Sequence, residues 1–287
     1  MTSIRRLGQA DRDALDAFLL NHRASSMFLR SNVLQAGVVD GPARYQGLYV
    51  GAFDGDHLTD VAAHYWNGHI ILQAPTAPVE LAIAVAQESQ RVVTGILGPW
   101  SQVKVVEPEM DIDRSCLGKV VPEYLYTLDL SALKIPKSLS TGLVGYRRAA
   151  PEDVPVLVAW RRVYDRITMG FPEHAIDDAR NEKMFRGAIE EQRLWVLEDN
   201  DRPVAMTSFN AVLRDTVQVG GVFTPEESRG RGYARSVVAG SLLDAKAGGA
   251  AEALLFTEVD NLPAQKAYES LGFVRVGDYG MVVLDPS

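Results

Sequence analysis

The chain repeats its own opening after its midpoint. RRLGQADRDALDAFL from Arg5 and RRAAPEDVPVLVAWR from Arg147 each give two arginines, an aspartate five positions past the second (Asp11, Asp153) and a leucine four further on (Leu15, Leu157). The echo continues in Leu48-Tyr49-Val50 and Leu194-Trp195-Val196, each followed by an acidic turn (Asp54-Gly-Asp56, Asp199-Asn-Asp201) and a second apolar run. Alternating β-formers around a short polar turn predict a hairpin in each half. A third strand is predicted at Ile70-Ile71-Leu72 and at Val217-Gln218-Val219. Such self-similarity restricts the chain to two copies of one supersecondary plan. The expected fold class is α+β with a mixed sheet: two domains, 1–135 and 144–287, each a twisted, mostly antiparallel sheet flanked by helices. The Pro/Ser/Gly-containing stretch LSALKIPKSLSTGLVG from Leu130 is expected to join them near 131–144.

Composition excludes several classes of function. The 287 residues, 47% hydrophobic and 23% charged, describe a globular chain able to bury a large core. A net charge of -8 argues against general nucleic-acid binding, which needs a broad basic face. One cysteine, Cys116, excludes an intrachain disulfide and fits a reducing cytoplasm; without a Cys/His spacing pattern no structural metal is expected. The N-terminus carries charges where a secretory signal has its apolar stretch, and no run approaches the length of a membrane span, so a cytoplasmic protein with no membrane partner is expected.

After the third strand the halves diverge. The second continues VFTPEESRGRGYARSVVAGSLLDAKAGG, a tight glycine-containing loop entering a helix expected from about Gly232 to Lys246. The first has QAPTAPVELAIAVAQES there, a strand end and a helix with no glycine between them. A glycine loop at a helix start turns several N–H groups toward one point, where the helix dipole adds positive charge, so phosphate is its natural guest. Gly232 is followed by Tyr-Ala-Arg rather than Lys-Ser/Thr, which excludes a Walker loop. Arg235 stands where a dinucleotide fingerprint needs its third glycine.

Arg229-x-x-Gly232-x-Ala234, preceded by Val222-Phe-Thr-Pro225, resembles the acyl-CoA loop of the GNAT superfamily of N-acyltransferases. Asn261, Ala264, Tyr268, Gly272 and Phe273 match that family's N-x-x-A-x-x-x-Y-x-x-x-G-F pattern, after a predicted strand Ala253–Val259. The resemblance covers about residues 144–285. It implies acetyl-CoA as cosubstrate, no metal, and a primary amine of a small molecule or amino acid as acceptor, attacking the thioester directly in a ternary complex. It implies that Val222, Phe223 and Thr224 give their backbone to the pantetheine. It implies too that Arg229, Gly230, Arg231, Gly232, Tyr233, Ala234 and Arg235 surround the diphosphate, with Asn261 beside the cofactor. Tyr268 is then the acid that protonates the departing thiolate.

The base is less defined in the sequence. Glu258, Glu226 and Glu227 are candidates, and Glu173 with His174 are candidate substrate-binding residues between the first two helices of the second half. In the first half, His64 and His69 flank Trp66-Asn-Gly68 with no acidic or cysteine partner nearby, and a solvated hairpin is expected in place of a metal site. Lacking the glycine loop, this half is expected not to bind CoA and instead to shape an acceptor pocket or a homodimer. Two other functions share the fold: a protein lysine or N-terminal acetyltransferase, and a non-catalytic acyl-CoA sensor. A broken second motif would favour the sensor, and the motif is intact.

Overall fold

A computed structural model of the chain describes residues 2–110, 117–167 and 172–284; Cys116 lies outside them. The chain forms two compact units, Met1–Leu125 with Phe256–Asp260 and Arg275–Ser287, and Tyr126–Leu255 with Asn261–Val274. The units therefore interleave in sequence, where two consecutive segments, 1–135 and 144–287, were expected.

The first unit holds β1 (Thr2–Arg6), α1 (Arg12–Asn21), α2 (Met27–Ala36), β2 (Gly47–Asp54), β3 (His57–Tyr65), β4 (His69–Gln73), α3 (Pro78–Ser89), β5 (Gly95–Gly98), α4 (Trp100–Val106) and most of β6 (Leu117–Asp129). β1 to β4 pair antiparallel in succession, and β4 pairs parallel with β5. Alternation along β2 sends Leu48, Val50 and Ala52 into one apolar cluster with α3, and Tyr49 and Phe53 into another with α1 and α2. The sheet is thus covered on both faces, which is why β2 is an almost unbroken apolar run.

The second unit holds the end of β6, a short α5 (Lys137–Ser140), β7 (Gly145–Arg148), α6 (Val154–Ile167), α7 (Asp178–Glu190), β8 (Leu194–Asp199), β9 (Arg202–Val212), β10 (Thr216–Phe223), α8 (Tyr233–Ala247), β11 (Glu252–Leu255 of Glu252–Glu258) and α9 (Leu262–Leu271). β7, β8, β9 and β10 pair antiparallel in succession, and β10 pairs parallel with β11. Asn200 and Asp201, at φ 50° and 60°, make the β8–β9 turn, and two left-handed residues are what a two-residue hairpin needs. Val196 and Met206 face Leu157, Trp160 and Phe185 of α6 and α7. On the opposite face Trp195 donates its Nε1–H to Asp244 of α8 at 2.8 Å.

The repeated opening has one physical meaning in both units. Arg5 forks onto Asp11 at 3.0 and 2.6 Å, and Arg147 onto Asp153 at 2.7 and 2.9 Å. Each aspartate also accepts a main-chain N–H, from Gly8 at 2.9 Å and Ala150 at 2.8 Å, tying the first strand to the turn that starts the first helix. Leu15 and Leu157, the matched leucines, are both fully buried.

The last strand, β12 (Val274–Leu284), belongs mostly to the first unit. It pairs antiparallel with β5, Gly280 opposite Gly98 and Val282 opposite Ile96. A side chain at Gly280 would meet the Trp100 ring at 2.2 Å, so glycine lets the strand lie close under α4. Val282 and Leu284 enter the α3-side core, a burial that stabilises by about 2 kcal/mol each. Among the described residues no helix is long and apolar enough to cross a membrane, and no group of three His, Cys, Asp or Glu could hold a metal ion.

Candidate active site

The site begins where β10 changes course. Its parallel ladder with β11 runs from Thr216 opposite Glu252 to Val219 opposite Leu255, four residues short of the strand's end at Phe223. Against β9 the register shifts between Gln218 and Val219 and again between Gly220 and Phe223. Gly221 has φ 57°, and side chains at Gly220 or Gly221 would meet Asn210 at 2.0 Å and Ser208 at 2.6 Å. Gly221 is thus needed by a bulge that re-aims the end of the strand, and Gly220 leaves room for the Asn210 side chain.

From that end the chain passes through Pro225 and a single 3-10 turn at Glu226–Ser228 into the glycine loop. Arg229 folds back to donate its Nε–H to the Thr224 carbonyl at 3.1 Å, so its side chain braces the loop. Gly230 and Gly232 both have φ 78°, a left-handed conformation that side chains disfavour. Gly232 caps α8 with no side-chain hydrogen bond, and the helical ladder starts with the Ser236 amide donating to the Gly232 carbonyl at 3.2 Å. The amides of the first turn precede that ladder and stay available at the positive end of the dipole. Tyr233 is buried and donates to the Asp199 carboxylate, fixing α8 to the β8–β9 turn.

This loop walls a cavity of about 680 Å³ within the second unit. Val222, Phe223, Thr224, Arg229, Gly230, Gly232, Tyr233, Ala234 and Arg235 line one side, and Asn261 and Tyr268 another. Arg231 is exposed and outside the lining. The Asn261 side chain accepts the Ala264 amide at 3.2 Å, capping α9, and Gly272 ends that helix at φ 103°. Tyr268 is buried and packs edge-on to Phe273 with centroids 6.0 Å apart. The spaced N-x-x-A-x-x-x-Y-x-x-x-G-F residues are therefore a cap, a cavity wall and a helix stop.

Sequence reasoning missed Tyr164, Lys266 and Ser270, which also line the cavity. Lys266 and Ser270 follow Pro263 at the three- and four-residue steps of one α9 face, a period that was legible. Tyr164 comes from α6, and only the fold brings it beside Phe223. Glu173 and His174 are exposed and absent from the cavity lining; Glu173 pairs with Arg162, which also holds Asp178 at 2.5 Å. Glu226 and Glu227 are exposed as well. Glu258 binds Lys119 at 2.7 Å within the first unit.

The counterpart segment of the first unit is built differently. The carboxylate of Asp60, fully buried, accepts the main-chain amides of Thr76 and Ala77 at the entrance of α3. His64 is also fully buried, bonded to the Ser89 hydroxyl at 2.7 Å and the Gly68 carbonyl at 3.2 Å, which corrects the expectation of a solvated hairpin. Burial pushes its pKa down to about 4, so it is a neutral structural residue at pH 7. Glu123, partly buried on β6, has its pKa raised to about 7, chiefly by burial and then by Glu258, with Lys119 opposing.

Residues 159–273 match the model of the acetyltransferase (GNAT) family. No curated protein matches the sequence. Among solved structures, a GNAT-family acetyltransferase from Colwellia psychrerythraea is 15% identical over 99% of this chain and 100% of its own, with a TM-score of 0.56. A GCN5-related N-acetyltransferase from Sphaerobacter thermophilus is 14% identical over 98% of this chain and 94% of its own, at 0.58. A tandem GNAT protein from the clavulanic acid biosynthesis pathway is 12% identical over 100% of both chains, at 0.53. At these identities the likeness is one of fold.

Proposed function

Because residues 159–273 form a domain of the GNAT acetyltransferase family, we propose that the protein transfers an acetyl group from acetyl-CoA to a primary amine of a small molecule or amino acid. The observation that carries this reading is the shared cavity: the glycine loop at the start of α8 forms one wall and Tyr268 another. A diphosphate suits amides gathered at a helix N-terminus, and Arg235 and Lys266 in the same lining supply positive charge. Gly232 supports the fit, since its φ of 78° is a conformation that side chains rarely adopt.

The residues then divide the work. The amine nitrogen attacks the thioester carbon, and a main-chain N–H of the strand around Phe223 donates to the oxyanion that forms. As the carbon–sulfur bond breaks, Tyr268 gives its proton to the thiolate; a phenol keeps that proton at neutral pH. The nitrogen loses its extra proton to water, water returns a proton to the Tyr268 phenolate, and the products are the amide and CoA with a free thiol. Gly230 to Ala234 hold the diphosphate throughout, so the loop positions the thioester without touching the reacting atoms.

The test is thiol release from acetyl-CoA across a library of small primary amines, amino acids and lysine-containing peptides. Turnover with small amines supports the reading, turnover with peptides alone transfers it to a protein acceptor, and no turnover with any amine contradicts it.

A further inference from the structure

Tyr164 lines the cavity, and the functional reading leaves it without a task. It stands on α6, edge-on to Phe223 at 84° with ring centroids 6.5 Å apart. Trp160, one helical turn earlier, packs on the same Phe223 ring at 6.1 Å, so two rings of α6 grip the end of β10. Tyr164 is itself held by its neighbours on α6. The Arg161 guanidinium lies 5.0 Å from its ring centroid and pairs with Asp165 at 2.7 Å. Asp165 is buried and accepts the Asn181 side-chain amide of α7 at 3.1 Å. The ring is thus braced through three polar side chains that tie α6 to α7.

The cavity lining combines the glycine loop with the rings of Tyr164, Phe223 and Tyr268. With a diphosphate at Gly230–Ala234, a chain leaving it along Thr224, Phe223 and Val222 would follow the end of β10, where the Tyr164 ring stands beside Phe223. A group carried on that chain would reach Phe223 and the Tyr164 ring next to it. We propose that Tyr164, braced by Arg161 and Asp165, is the stop that limits the transferred acyl group to two or three carbons. The assignment rests on the reading of the cavity as an acyl-CoA site, and it adds the residue that sets the length of the acyl group. A braced ring rejects length because extra methylenes need either its displacement or an unfavourable turn of the acyl chain.

The experiment is calorimetric titration of CoA, acetyl-CoA, propionyl-CoA and hexanoyl-CoA into wild type, Tyr164→Ala, Tyr164→Leu and Tyr164→Phe, with a thermal melt of each variant. Wild type is expected to bind hexanoyl-CoA at least about tenfold more weakly than acetyl-CoA, the discrimination that a shaped apolar pocket provides. Tyr164→Ala abolishes or reverses that ratio, and Tyr164→Leu, which fills more of the space and guards against a misfolded alanine variant, narrows it. Tyr164→Phe keeps the wild-type order because it keeps the ring. A wild type that binds hexanoyl-CoA as tightly as acetyl-CoA overturns the proposal. So does a Tyr164→Ala variant that weakens every CoA species equally, because that is the signature of a ring packing on the shared pantetheine arm. If wild type binds neither CoA nor acetyl-CoA, the transferase reading fails first and the acyl stop fails with it.

Discussion

Asp60 and Thr76 are joined twice: one carboxylate oxygen accepts the Thr76 amide at 2.6 Å and the other its hydroxyl at 2.5 Å. The Ala77 amide adds a third bond at 3.0 Å. These groups stand at the entrance of α3, the place in the first unit that the glycine loop holds in the second. One strand–loop–helix plan has therefore been finished in two ways. In the first unit a buried carboxylate ties down the Thr76 and Ala77 amides just ahead of α3. In the second, Gly232 caps α8 with no side-chain bond and the amides border a cavity.

Removing that carboxylate should cost stability in a pH-dependent way. Burial works against the Asp60 charge, but the bonds from Thr76, Thr59 and Ala77 prevail and hold its pKa below the ordinary 3.8. A lowered carboxylate pKa gives stability that is present above the ordinary value and lost as pH falls through the folded one. Asp60→Ala is expected to lose on the order of 2–3 kcal/mol at pH 7 and less near pH 3. Urea unfolding of both proteins at the two pH values checks this.

Glu123 should behave in the opposite sense. Its pKa is raised from 4.5 to about 7, first by burial and then by Glu258, with Lys119 opposing. A raised carboxyl pKa gives stability that is fully present below the ordinary value and lost as pH climbs to the folded one. Glu123→Gln, which cannot ionise, should therefore gain about 1–3 kcal/mol relative to wild type between pH 5 and pH 8. Melting temperatures across that range read the difference directly.

Gly240 marks a tight contact in the second unit. A methyl group there would stand 2.4 Å from the Tyr146 ring of β7. Gly240→Ala gains helix propensity of about 1 kcal/mol, yet overpacking costs about 1–3 kcal/mol and should win. Adding Tyr146→Ala should recover part of the loss, and a double-mutant cycle by thermal unfolding measures the coupling.

For Tyr268 the expectation is kinetic. Tyr268→Phe keeps the ring that packs on Phe273, so the fold and the KM for acetyl-CoA should change little. Losing the proton donor should lower kcat about 100-fold, and the loss should shrink with acyl donors whose leaving thiol is more acidic.

Local signals were the legible ones. The paired arginines and their aspartates, the glycine loop and the Asn261 to Phe273 pattern each encode contacts within a few residues, so spacing alone carried them. What stands close to Gly220 and Gly221, Asn210 and Ser208 of the neighbouring strand, depends on the pairing of β9 with β10 and was not legible. The partner of β12 was not legible. Its alternating residues suit any sheet edge, and β5 lies far back in the chain. His64 was misread for the same reason, since Ser89 and Gly68 supply its partners only after β3 and α3 have packed. Tyr164 gave no local signal, since only the packing of α6 brings it beside Phe223.

The central claim is that Ser228–Ala234 holds the diphosphate of an acyl-CoA. Titration of acetyl-CoA into wild type and into Gly232→Glu, with a melt of each to establish folding, tests it most directly. The account predicts saturable binding by wild type and none by the folded variant, whose new carboxylate would fill the loop and repel the phosphates. Equal binding by both proteins, or none by wild type, would contradict it.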